Sequence, residues 1–110
     1  EITYGDWSSD VCSSDLACQW LAKSGRFDAV LALGAVIKGG TDHYGYVCQA
    51  ATDGILEAGL ATEVPIALGV LTCAEMDQAL ARAGGDAGNK GADAAEAAIA
   101  MAQLRRSLPR

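Results

Sequence analysis

Two short, nearly unbroken apolar runs occupy the middle of the chain, residues 27–37 (FDAVLALGAVI) and 65–72 (PIALGVLT). Neither alternates apolar with polar positions. Both therefore predict strands buried on two faces, as in a parallel sheet. Between them, over residues 42–61, Val47, Ala50, Ala51, Gly54, Ile55 and Ala58 recur at three- and four-residue steps, which predicts a helix with one apolar face. Residues 16–24 read as the end of a helix that Gly25 stops. Thr72 is suited to cap a helix over 73–83, with Glu75 in its first turn and Gly84 and Gly85 ending it. Asn89 or Gly91 opens a last, alanine-rich helix running to about Leu108. Strands separated by helices imply right-handed crossovers. The expected fold class is α/β, a three-layer α/β/α parallel sheet. Two strands are too few to stand alone, so one or more N-terminal strands and a helix are expected to be missing before residue 16.

Residues 1–16 break the pattern. Ser8-Ser9-Asp10-Val11-Cys12 is followed by the near repeat Ser13-Ser14-Asp15-Leu16-Ala17, with neither helical nor strand periodicity. The stretch reads as a flexible acidic linker or as translated sequencing-adapter sequence. The expected division is a non-native or disordered segment over 1–15 and a partial α/β domain over 16–110. Charge supports the split. The 110-residue chain carries −6, and Glu1, Asp6, Asp10 and Asp15 supply −4 of it without a balancing base. The nearly balanced remainder has no basic cluster, which argues against nucleic acid as a partner. No apolar run is long enough to span a membrane, and no basic segment leads into an apolar one at the N-terminus. A cytoplasmic location is expected. Cys12, Cys18, Cys48 and Cys73 form no CxxC pair, and with His43 the lone histidine no zinc spacing arises, so the cysteines are expected to be reduced and unpaired.

Three segments carry candidate chemistry. Lys38-Gly39-Gly40-Thr41-Asp42-His43 is a strand end, a glycine turn and a helix start. Its glycines allow close backbone approach, and the first-turn N–H groups and helix dipole favour an anion. Many such loops stay empty. Histidine is the side chain whose ordinary proton exchange falls near neutral pH, so His43 can relay a proton beside that site, or it can be a plain surface or capping histidine. Arg82 offers a planar fork for phosphate oxygens, or it can simply pair with its own helix end. Lys90, in Gly88-Asn89-Lys90-Gly91, adds positive charge to the positive end of a helix. That mismatch points to an anionic ligand nearby, though a solvated lysine satisfies the pattern too.

These segments also resemble the lumazine synthase family. FDAVLALGAVIKGGTDHYGYV is similar to its strand, phosphate loop and helix start, PIALGVLT to its next strand, and QALARAGGDAGNKGADAAEAAIAM to its last two helices. The resemblance runs from about Leu16 to Leu108 and implies a flavodoxin-like fold. It makes His43 the proton-transfer residue and Arg82 the phosphate-holding arginine. Gly40 and Thr41 become the backbone cradle of that phosphate, Lys90 a lysine lining the site, and Ala35, Val36 and Ile37 the strand end against the pyrimidine ring. Leu68 stands where the family commonly has an aromatic residue, donated by a neighbouring subunit to cover the ring. The implied reaction condenses 5-amino-6-(ribitylamino)uracil with 3,4-dihydroxy-2-butanone 4-phosphate to 6,7-dimethyl-8-ribityllumazine, the penultimate step of riboflavin biosynthesis, without metal or cofactor. Small-molecule substrates and a homo-oligomer, a pentamer or a larger icosahedral shell, are the implied partners. Two rivals stay open: a non-catalytic shell-forming protein and an unrelated phosphate-binding α/β module.

Overall fold

A computed structural model describes residues 11–38 and 44–109. The chain runs α1 (Val11–Lys23), β1 (Val30–Ile37), α2 (Tyr44–Thr62), β2 (Ile66–Cys73), α3 (Met76–Arg82), β3 (Ala83–Gly85), β4 (Gly88–Asn89) and α4 (Lys90–Ser107). β1 and β2 pair in parallel over all eight residues, from Val30 opposite Ile66 to Ile37 opposite Cys73. The α/β class and the parallel sheet flanked by helices are therefore as expected.

The alternation of strand side chains separates the layers. Val30 and Ala32 join Cys18 and Ala22 of α1, Ile55 of α2 and Val64 in one cluster, against which Ile66, Leu68 and Val70 pack. The opposite face, at Leu33 and its partner Gly69, meets α4. A Cβ built on Gly69 would lie 2.6 Å from Leu33 Cδ2 and 3.3 Å from the Ala94 Cβ. Buried Ala94 and Ala98, four residues apart, are one stripe of α4. Two helices thus cover one face and one covers the other. The small side chains on both sides permit this close approach.

Each helix ends for a local reason. Gly25, at φ 75°, follows α1, and the Ser24 hydroxyl donates to the Leu21 carbonyl at 2.6 Å. In α2, Ala51, Ile55 and Ala58 form the buried face, while Ala50 of the predicted stripe is exposed. Glu63 N donates back to Gly59 O at 2.9 Å, with Glu63 itself in the left-handed region at φ 57°. Asn89 Oδ1 accepts from Ala92 N at 3.0 Å and caps α4, as expected.

Three expectations need correction. Residues 11–15, expected to fall in a non-native or disordered segment, are helical as the first part of α1, which bears on the disorder alone and not on whether the stretch is native. Thr72 and Cys73 do not open a helix. They extend β2, because the ladder runs on to Ile37 opposite Cys73 and Lys38 N donates to Cys73 O at 2.9 Å. α3 starts three residues later, at Met76. Gly84 and Gly85 are not a simple stop either. Ala83–Gly85 pairs antiparallel with Gly88–Asn89, and Gly84 and Gly88 adopt φ values of 110° and 94°. No described helix is long and apolar enough to cross a membrane.

Candidate functional site

Parallel pairing puts the carboxyl ends of β1 and β2 at one edge of the sheet, where open α/β sheets form their crevices. A cavity of about 370 Å³ lies at that end of β2. Its wall is the strand end from Val70 to Cys73, then Ala74, and its remaining lining comes from Gln78, Arg82 and Lys90. Arg82 is the last residue of α3 and Lys90 the first of α4. The β3–β4 hairpin joins them, folding the chain back so that both cations line one space.

The order of the β2–α3 corner comes from Gln78. Its Oε1 accepts from Ala74 N at 3.0 Å and Glu75 N at 3.2 Å, and its backbone N donates to Glu75 O at 3.2 Å. A glutamine at this position of a helix can reach back and satisfy donors that the first turn leaves unpaired. At the other end of α3, Arg82 Nη1 donates to Gln78 O at 3.0 Å. The guanidinium therefore does pair with its own helix, the plainer of its two expected roles, and Arg82 also lines the cavity. The ion pair seen among the described residues, Arg106 with Asp28, is exposed and involves neither Arg82 nor Lys90. Both cations thus stand at the cavity without a carboxylate counter-ion among the described residues.

The other expected residues fall as follows. Ala35, Val36 and Ile37 end β1 and pair with Leu71, Thr72 and Cys73 of the cavity wall. They adjoin the space without lining it. Leu68 is half-buried against the α1–α2 cluster, not at the cavity of its own chain. Gly40, Thr41 and His43 lie outside the described residues. The described chain enters that segment at Lys38, whose amide is bound to the cavity-lining Cys73. Thr72, Cys73 and Gln78 are cavity residues that were not picked out as such. Gln78 had a visible signal, its place three residues after Glu75 just before an apolar helix. Cys18, Cys48 and Cys73 are free thiols, and burial, aided by the Asp15 carboxylate, pushes the Cys18 thiol above its ordinary value.

A family model described as 6,7-dimethyl-8-ribityllumazine synthase matches residues 10–106. The chain belongs to that family. It is 51% identical over 98 residues to the chloroplastic 6,7-dimethyl-8-ribityllumazine synthase of Spinacia oleracea, covering 89% of this chain and 44% of that one. Against the Coxiella burnetii enzyme of the same name, strain CbuG_Q212, identity is 49% over 102 residues, 93% of this chain and 68% of the relative. Against the Deinococcus deserti enzyme it is 54% over 94 residues, 86% and 60%. The chain thus spans between 44% and 68% of the length of these relatives.

Proposed function

We propose that this chain carries the phosphate-binding half of a 6,7-dimethyl-8-ribityllumazine synthase site. The substrate amine of 5-amino-6-(ribitylamino)uracil attacks the ketone of 3,4-dihydroxy-2-butanone 4-phosphate and loses water to give an imine. Phosphate then leaves, the ring closes and a second water is lost. One observation carries the reading: Arg82 and Lys90, from two different helices, line one cavity at the sheet's carboxyl edge with no carboxylate pairing either among the described residues.

The chemistry asks for such a pair. The leaving phosphate gains charge as its C–O bond breaks, and fixed cations in a recess stabilise that charge without reorganising. Arg82 contributes a planar fork and Lys90 a mobile point charge. His43 is the proposed proton relay for imine formation and elimination, with Gly40 and Thr41 supplying backbone donors. Ala35, Val36 and Ile37 are the proposed floor for the pyrimidine, at the strand end beside the cavity wall. Holding two reactants in register accounts for much of the acceleration, and the reaction needs neither metal nor redox cofactor.

The unpartnered apolar surface supports a homo-oligomer, with the pentamer and the icosahedral shell as its proposed forms. Leu56, Leu60, Met101, Leu104 and Leu108 are exposed around a groove of about 910 Å³ between α2, the start of β2 and α4. Soluble monomers rarely leave so continuous an apolar patch open. Leu68 is proposed to cover the heterocycle of a neighbouring site in that assembly, and the cytoplasm is the proposed location.

Calorimetric titration with the butanone phosphate and with inorganic phosphate tests the site. Arg82→Ala removes charge-assisted hydrogen bonds, each worth about 1.5–3 kcal/mol, so both ligands should bind at least about tenfold more weakly. Equal binding by wild type and Arg82→Ala would remove this assignment.

A further inference from the structure

We propose that Gln78 is a positioning residue that sets Arg82 at the anion cavity, an inference that rests on the phosphate reading above. α3 has only seven residues, Met76 to Arg82. A helix so short has little cooperativity of its own, so its ends decide where it lies. Gln78 acts at both. Its side-chain oxygen holds the amides of Ala74 and Glu75, tying the first turn to the end of β2. Its main-chain carbonyl receives Arg82 Nη1 one turn further on. One residue therefore links the cavity wall, which includes Ala74, to the guanidinium across from it. Without the side-chain acceptor, the amides of Ala74 and Glu75 leading into α3 lose their partner and the helix can turn about the Cys73–Glu75 corner. The carbonyl that holds Arg82 turns with it.

Arg82 is the route, so the effect must vanish when Arg82 is gone. In the 110-residue chain, Gln78→Met keeps the length of the side chain and removes the acceptor. Inorganic phosphate should then bind about tenfold more weakly, within the coupling range of residues in contact. In an Arg82→Ala background the same substitution should change affinity by less than about twofold. The Arg82 Nε–H resonance should lose its ordered position in Gln78→Met. It should keep that position in Gln78→Glu, whose carboxylate accepts the same two amide hydrogens. Gln78→Glu is read by the resonance alone, because its charge opposes phosphate. The positioning role is overturned by an undisturbed resonance in Gln78→Met, by a disordered one in Gln78→Glu, or by an equal loss of affinity with and without Arg82. Wild-type affinity in Arg82→Ala instead overturns the phosphate reading.

Discussion

Gly69→Ala tests how tightly α4 is held on the sheet, and with it the placement of Lys90. A methyl group at this site would stand 2.6 Å from Leu33 Cδ2, 3.3 Å from the Ala94 Cβ and 3.5 Å from the Ala32 carbonyl. Carbon atoms pack comfortably at about 3.5–4.0 Å, so the overlap with Leu33 is about 1 Å. Leu33 is 60% exposed and its tip can swing. The same Cδ2 faces Gly91 in the first turn of α4, so its swing is free only away from that helix. Forcing a side chain off its rotamer costs about 0.5–1.5 kcal/mol. The Ala94 contact is shorter by a few tenths of an ångström than it can bear, and its methyl moves only if the helix does. Overpacking of this kind costs about 1–3 kcal/mol. Restricting the unfolded chain returns about 0.4–1 kcal/mol, since Gly69 needs no left-handed backbone. The net loss should be about 0.5–2 kcal/mol, a fall of several degrees in Tm. Urea unfolding followed by circular dichroism should show a lower midpoint at unchanged slope. Phosphate affinity should fall with it, as α4 carries Lys90 away. Adding Leu33→Ala removes the worst overlap, so the double variant should lose less than the sum of the two single ones. A midpoint in Gly69→Ala equal to or above wild type, or strict additivity with Leu33→Ala, would refute the packing argument.

Two further outcomes follow from the same contacts. Asn89→Ala deletes the acceptor that holds Ala92 N at 3.0 Å; it should cost about 1 kcal/mol in urea unfolding and weaken phosphate binding, whereas Asn89→Asp, which keeps the acceptor, should keep the urea midpoint. The Cys18 thiol is held neutral first by burial and second by the Asp15 carboxylate, above its ordinary 9.0. Its contribution to stability is complete below the unfolded-state value and is lost as pH rises through the raised folded-state value. Melting temperature between about pH 8 and pH 11 should therefore fall more steeply for wild type than for Cys18→Ala, and parallel curves would exclude the thiol as the cause.

What could be read in the chain and what could not divide along physical lines. The strands at Val30–Ile37 and Ile66–Cys73 were legible as unbroken apolar runs, but the burial on both faces that such runs led us to expect does not hold for β1, where Leu31 and Leu33 are exposed on the α4 side. The buried face of α2 was legible at Ala51, Ile55 and Ala58 because a helix repeats its burial. The start of α3 was not. Thr72 has the chemistry of a cap, yet the ladder to β1 claims it and Cys73, and no local signal reports a pairing partner thirty-odd residues away. The β3–β4 hairpin was invisible for another reason: five residues, mostly glycine, have no side-chain pattern to read. Arg82 and Lys90 were both named from the sequence, but only the fold places them on one cavity. Gln78 was passed over although its spacing from Glu75 is a helix-start signal, because the cap was placed at Thr72, three residues too early.

The two cations are placed on opposite kinds of helix end, and that contrast explains their roles. Arg82 ends α3, where the helix dipole welcomes a positive charge and a carbonyl is free to receive it. It would be stable there in an empty site. Lys90 begins α4, where the same dipole opposes it by about 0.3–1 kcal/mol. Nothing in the fold of α4 asks for this charge, since Asn89 already caps the helix and Asp93 already answers the dipole. An anion in the cavity reverses the balance, drawing on the ammonium and the helix end together. The helix end thus accounts for Arg82 without a ligand, whereas it does not account for Lys90. On the proposed reading, Lys90→Ala should therefore cut the affinity for inorganic phosphate while leaving the urea midpoint unchanged or raised, and a lowered midpoint would refute the contrast.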